Sequence, residues 1–196
     1  MSEPIRTLVL IVVVLVVLLT IAAMLVWLER RLLGLWQDRY GPNRVGPFGL
    51  LQTVADAIKL LTKQDWIPPF ADTPVFVLAP AVIMVTVLAA FGVVPFAPGL
   101  QIADLDIGLL FVLAMSSLGV YSVVLAGWSS DNKYALIGSL RAAAQMLGYE
   151  VFMGLSLMGV VMLAGSFSLA RIVEAQRGLW YCVPQILGLF VFANAG

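Results

Sequence analysis

The chain has 196 residues, 62% of them hydrophobic and only 11% charged, whereas a soluble domain is nearer half apolar and a quarter charged. The formal net charge is zero, which removes any bulk electrostatic case for nucleic-acid binding. There is no His and a single Cys, Cys182, so His-ligated haem, iron–sulfur clusters and zinc sites all lack their ligands. No metal site and no bound cofactor are expected; if the protein serves redox chemistry, the electron carriers lie elsewhere. No glycine-rich nucleotide-binding motif is present.

The apolar residues fall into long runs separated by polar loops, the pattern of an all-α, polytopic transmembrane helix bundle. The first run is 7–28, whose 22 residues reach about 33 Å as a helix, against a hydrocarbon core of about 30 Å. It is too long for a signal peptide, and Glu29-Arg30-Arg31 stands where a cleavage site would be, so it is read as a retained helix ending at that charged triplet. In the loop that follows, Gly41-Pro42-Asn43 and Gly46-Pro47 are turn signals. They lead into 50–64, where Leu51, Val54, Ile58 and Leu61 recur on one helical face and Gln52, Asp56, Lys59 and Lys63 on the other. This predicts an amphipathic helix, too short and too charged to span, lying at the membrane surface or packed under the bundle.

A second span is expected at about 74–95, with Pro74 at its start and Pro80 inside it, where a bundle tolerates a kink. Further spans are expected at about 107–127, 142–165 and 179–196. The last run carries no flanking base or cap before Gly196, so either the fifth helix of this single membrane domain ends flush with the terminus or the chain is part of a longer protein. Loop charges set the orientation. Arg30, Arg31, Arg39, Arg44, Lys59, Lys63, Lys133 and Arg141 fall on one side, against Arg6, Arg171 and Arg177 on the other. The positive-inside rule puts the N-terminus outside and both basic loops in the cytoplasm.

Glu150 lies inside an apolar run, about two turns in, with Gln145 and Arg141 before it. A carboxylate at membrane depth is costly and marks a proton path, an ion site or a paired cation; the alternative is a structural ion pair at the helix mouth. Asp56 and Lys59 are an i, i+3 pair that alone would be worth little. Together with Glu29, Arg39, Arg44, Asp65, Asp131, Lys133, Arg141 and Glu150 they gather acids and bases on one predicted side. A cavity there, admitting an amphipathic ligand with a polar head, would need such a set; a passive anchor would not.

ERRLLGLWQDRYGPNRVGPFGLLQTVADAIKLLTKQDW over 29–66 and AGWSSDNKYALIGSLRAAAQMLGYE over 126–150 resemble the two cytoplasmic loop signatures of the H subunit of bacterial NADH:quinone oxidoreductase (respiratory complex I), the counterpart of mitochondrial NADH dehydrogenase subunit one. GPNRVGPFG and GWSS-x-NKY are long, unusual strings, and the similarity covers the whole chain. The resemblance implies a bacterial inner-membrane subunit that binds the peripheral-arm quinone-site subunits and neighbouring membrane-arm subunits. It implies a role on the membrane side of a quinone chamber, coupled to proton translocation, with ubiquinone or menaquinone as substrate and no catalytic residue or redox centre of its own.

By position, Arg39, Arg44, Gln52 and Lys59 match the loop and surface helix near the quinone path. Glu29, Asp56 and Glu150 match the acids of the polar connection leading away from the chamber, and Asp131, Lys133 and Arg141 match the second cytoplasmic loop. Asp131 stands where the family commonly has Asn, and Gly148 where Ser usually precedes Tyr-Glu. The family's later acidic loop has no counterpart here, so the chain is expected to be roughly the N-terminal three-fifths of such a subunit. A membrane subunit of a hydrogenase-type complex is the nearest alternative. A stand-alone ion transporter is a second, although no inverted repeat or pair of broken helices supports it.

Overall fold

The computed structural model describes residues 3–97 and 100–195. Most of these are helical, and no strand is present among the described residues. The elements are α1 (Glu3–Trp36), a short 3-10 turn (Pro47–Gly49), α2 (Gln52–Thr62), α3 (Thr73–Val93), α4 (Gly108–Ser129), α5 (Lys133–Ala164), α6 (Leu169–Ala175) and α7 (Ile186–Ala195). Four of them, α1, α3, α4 and α5, are long and apolar enough to cross a membrane. The chain divides into two compact units, Met1–Trp66 and Ile67–Gly196.

In the first unit, α1 does not stop at Glu29-Arg30-Arg31 but continues to Trp36. Leu, Trp and Arg are acceptable helix formers, and nothing in 29–36 breaks the helix until Asp38 turns into the left-handed region at φ 52°. The Arg39 amide then closes the end by donating to the Gly34 carbonyl at 2.9 Å. The turn-rich string after it folds back along the end of α1. Gly41 passes so close that a Cβ there would stand 2.8 Å from the Arg31 Cα. At Gly49 a Cβ would meet the Pro42 carbonyl oxygen at 2.2 Å, and φ is +74°, so only glycine fits. The Phe48 carbonyl accepts from Trp27 Nε1 at 3.1 Å and from Arg31 Nη1 at 3.3 Å. The Arg31 guanidinium also lies 5.3 Å from the Trp27 ring and 5.7 Å from the Phe48 ring, within cation–π range.

In the second unit, α3 and α4 pack together, α4 packs on α5, and α5 takes α6 and α7. Pro74 occupies the first turn of α3, where its missing N–H costs nothing. The Asp72 amide just before it donates to the Ser129 carbonyl at the end of α4, 2.9 Å away. The link from α4 to α5 is only Ser130–Asn132, with Asp131 left-handed at φ 46°. Asn132 then caps α5, its Oδ1 accepting from the Tyr134 amide at 2.9 Å. Helix α5 is 32 residues long, starting earlier than the apolar run alone indicates because this cap and the helix-forming stretch Lys133–Arg141 extend it outward. It ends at Gly165, φ 64°, whose amide donates to Val161.

Small residues let the helices approach, as membrane bundles require. A Cβ at Gly127 on α4 would lie 2.0 Å from Ser139 Oγ on α5. At the other end of the unit, Leu109, Val161 and Ile172 form a buried cluster joining α4, α5 and α6. Among the described residues of the apolar run that opens at Leu179, the helix is Ile186–Ala195, a stretch of about 15 Å.

Candidate functional site

Glu150 is held by two neighbouring hydroxyls. Ser116 Oγ donates to its Oε1 at 2.7 Å and Ser117 Oγ to its Oε2 at 2.8 Å. Both serines come from the middle of α4, a helix of 22 residues, so the carboxylate meets its partners near mid-span, deeper than two turns from a helix mouth. Glu150 itself is half-buried. Ion pairs among the described residues include Arg30–Asp56, Arg171–Asp106 and Arg177–Glu174; none of these includes Glu150. The arrangement is therefore a carboxylate with each oxygen satisfied by a donor and no cation beside it. That is a chemically sound way to keep an acid at depth, because hydrogen bonds to a charged acceptor are the strong ones.

Ser116 also faces a cavity of about 380 Å³ between α3, α4 and α5. Its wall is apolar, with Ile83, Phe91, Val112 and Met146, and Thr86 and Ser116 supply its hydroxyl side chains. The Thr86 hydroxyl is spent on the Ile83 carbonyl of its own helix at 3.0 Å.

In the first unit the chemistry gathers where α2 meets α1. The Arg30 guanidinium pairs with Asp56 Oδ2, and Gln52 Nε2 donates to Asp56 Oδ1 at 3.0 Å. The hydrogen bond from Arg30, then that from Gln52, holds the Asp56 carboxyl below its ordinary value of 3.8, with Lys59 adding a smaller electrostatic contribution. The polar face of α2 is thus turned to α1, while Leu51, Val54, Ile58 and Leu61 stay exposed, an apolar face suited to lipid or protein. Arg39 donates from Nε to Gln37 Oε1 at 2.7 Å. With Arg30, Tyr40 and Pro42 it lines a cleft of about 390 Å³.

The remaining candidates are placed as follows. Glu29, Arg44 and Lys59 are exposed. Asp131 makes the left-handed turn before α5, Lys133 opens that helix and Arg141 lies on its exposed side. The structure brings Asp56 together with Gln52 and with Arg30, a member of the charged triplet after the first apolar run. Ser116 and Ser117 were missed altogether. A serine in a span normally satisfies itself on its own helix, so one of them carries no signal; two adjacent in the apolar run 107–127 were the available clue.

The sequence pattern of the family described as NADH dehydrogenase matches residues 9–196. The chain is similar to a Methylococcus capsulatus protein named as the H subunit of NADH-quinone oxidoreductase, with 64% identity over 175 residues that cover 89% of this chain and 55% of that protein. It is similar also to a Rhodopseudomonas palustris protein named as the second H subunit of NADH-quinone oxidoreductase, with 59% identity over 180 residues, 92% of this chain and 56% of that protein. The chain spans about half the length of the curated relatives it matches. With nearly all of its residues inside the family pattern and its spanning helices in place, the chain belongs to the NADH dehydrogenase family.

Proposed function

We propose that this chain acts as part of the H-type membrane subunit of a proton-translocating NADH:quinone oxidoreductase in a bacterial inner membrane, beside quinone-site subunits of the peripheral arm and neighbouring membrane-arm subunits. In this reading it holds no redox centre and is not catalytic alone. The names of its relatives support the oxidoreductase. The observation that carries the proton-handling half is the Glu150 carboxylate, held near mid-span by Ser116 and Ser117 with no cation among the described residues.

The division of labour follows from the side chains. The Arg39 and Arg44 loop, Gln52 and Lys59 attend the polar head of ubiquinone or menaquinone near the membrane surface. Asp56, with Arg30 and Gln52 already ordering it, and the exposed Glu29 are acids of the first unit, and Glu150 is the acid of the second, set within an apolar helix. Charge introduced when quinone is reduced changes the proton affinity of such acids through their mutual electrostatics, which is how chemistry at one place can drive proton movement at another. Asp131 in the turn before α5, with Lys133 and Arg141 in the first turns of that helix, would present charge to a neighbouring subunit on the cytoplasmic side.

In the intact complex, Glu150→Gln keeps size and hydrogen bonding but removes the titratable proton. Quinone reduction and proton pumping, normalised to assembled complex, should both fall by about a hundredfold, the scale of a lost proton-transfer group. Near wild-type turnover and pumping would defeat the role of Glu150. For orientation, a reporter fused after Lys133 should read cytoplasmic and one fused at 100–105 outside, from the eight-to-three distribution of basic residues; the reverse pattern would overturn the placement of the quinone path.

A further inference from the structure

We infer that Ser116 and Ser117 are positioning residues for Glu150: they take the place of a counter-cation at mid-span, and Ser116 is the hydroxyl through which the carboxylate meets the cavity between α3, α4 and α5. The inference deepens the proposed function and rests on it for its consequence in turnover, but the geometry stands by itself.

Each serine has two ways to satisfy its hydroxyl hydrogen. One is a backbone carbonyl a turn earlier on α4, the usual resting place for a serine in an apolar helix. The other is the carboxylate of Glu150, and both serines take it, one on each oxygen. A single such contact would be ordinary packing. Two consecutive residues of a helix point about 100° apart, so both reach one carboxylate only if that group lies between their directions.

Among the described residues of this unit, no charged side chain pairs with Glu150. α3, α4 and α7 carry none, and on α5 the bases Lys133 and Arg141 lie about 25 Å and 13 Å along the axis. Arg171 and Glu174, on α6, lie beyond the far end of α5. Within this unit the groups the structure places on the Glu150 carboxylate are the two hydroxyls. Ser116 is the asymmetric member of the pair. It is exposed to the cavity, whereas Ser117 is half-buried, so its oxygen can accept from a group in that space while its hydrogen stays on Oε1. A proton arriving on the Ser116 oxygen releases the hydroxyl proton to Glu150, and the serine ends as it began.

The test uses the assembled complex with the full-length subunit. The infrared band of the Glu150 carboxylate is identified as the one lost in Glu150→Gln. Ser116→Ala and Ser117→Ala should each displace that band, the double variant should displace it further, and Ser116→Thr, which keeps the hydroxyl, should leave it in place. Turnover per assembled complex should fall by about tenfold in each alanine variant, the scale of one hydrogen bond to a charged group, and recover in Ser116→Thr. A band unmoved in the alanine variants overturns the clamp. A band that moves while Glu150→Gln turns over normally overturns the functional reading and leaves the clamp standing. If the double variant does not assemble, the two single variants decide the matter.

Discussion

The Ser122 hydroxyl on α4 donates to the Ala79 carbonyl on α3 at 2.7 Å, on the residue immediately before Pro80. Both residues are buried. Proline removes one backbone donor from its helix, and the neighbouring helix supplies a hydroxyl at the same level, so the weak point of α3 is tied to α4. Ser122→Ala should lower the resistance of the purified subunit to denaturation by about 0.5–1.5 kcal/mol, the range of interhelical hydrogen bonds in membranes. An unfolding curve in detergent that coincides with wild type would show that this bond adds no net stability.

Gly127 predicts a larger effect. Its Cβ would stand 2.0 Å from Ser139 Oγ and 2.9 Å from the Ala135 carbonyl oxygen, so α4 and α5 must move apart to admit it. Gly127→Ala should cost about 1–3 kcal/mol, as overpacking does, and Ser139→Gly in the same chain should recover part of the loss. Strictly additive effects of the two changes in a double-mutant cycle would rule out the contact as the cause.

Asp56 gives a pH prediction. Its folded-state pKa is depressed, chiefly by the Arg30 hydrogen bond, so its contribution to stability is present above the ordinary value of 3.8 and is lost as pH falls through the lower folded value. The carboxyl carbon resonance of Asp56 should titrate below 3.8, and in Arg30→Ala it should move back up. An Asp56 midpoint indifferent to Arg30 would dissociate the pair.

Asp131 has a conformational explanation. It sits at φ 46°, a region Asn and Asp tolerate far better than other side-chain-bearing residues. Asp131→Asn should leave stability within about 0.5 kcal/mol, whereas Asp131→Val should cost about 1–3 kcal/mol. Equal stability of the two variants, measured in the same unfolding assay, would show that the turn imposes no such demand.

The all-helical membrane architecture was legible because long apolar runs admit few alternatives. The amphipathic pattern at 50–64 likewise predicts a helix, and the structure has α2 at Gln52–Thr62. Helix ends were less legible. Glu29-Arg30-Arg31 looks like a membrane boundary and is one compositionally, yet charge does not break a helix, and the backbone continues to Trp36. At Lys133 the same logic holds in reverse, since hydropathy reports the lipid-facing part of α5 and not the helical extension beyond it. In the candidate site, Glu150 was conspicuous because a lone carboxylate in an apolar run has no cheap explanation. Its partners were not, because Ser116 and Ser117 lie 34 and 33 residues away and only the packing of α4 on α5 brings them together.

From Ile5 to Leu33, α1 contains neither Gly nor Pro, and as a helix of 34 residues it is about 51 Å long. Helices bend sharply at Pro, at Gly or at bulges, and this one offers no such joint until Gly34. It behaves as a stiff lever. Some 20 Å of it exceeds a hydrocarbon core of about 30 Å, so tilting at one membrane face must displace the other. The loop pinned to its end through Trp27, Arg31 and Phe48 would then travel with it, and a pull on that loop would be felt across the whole bilayer.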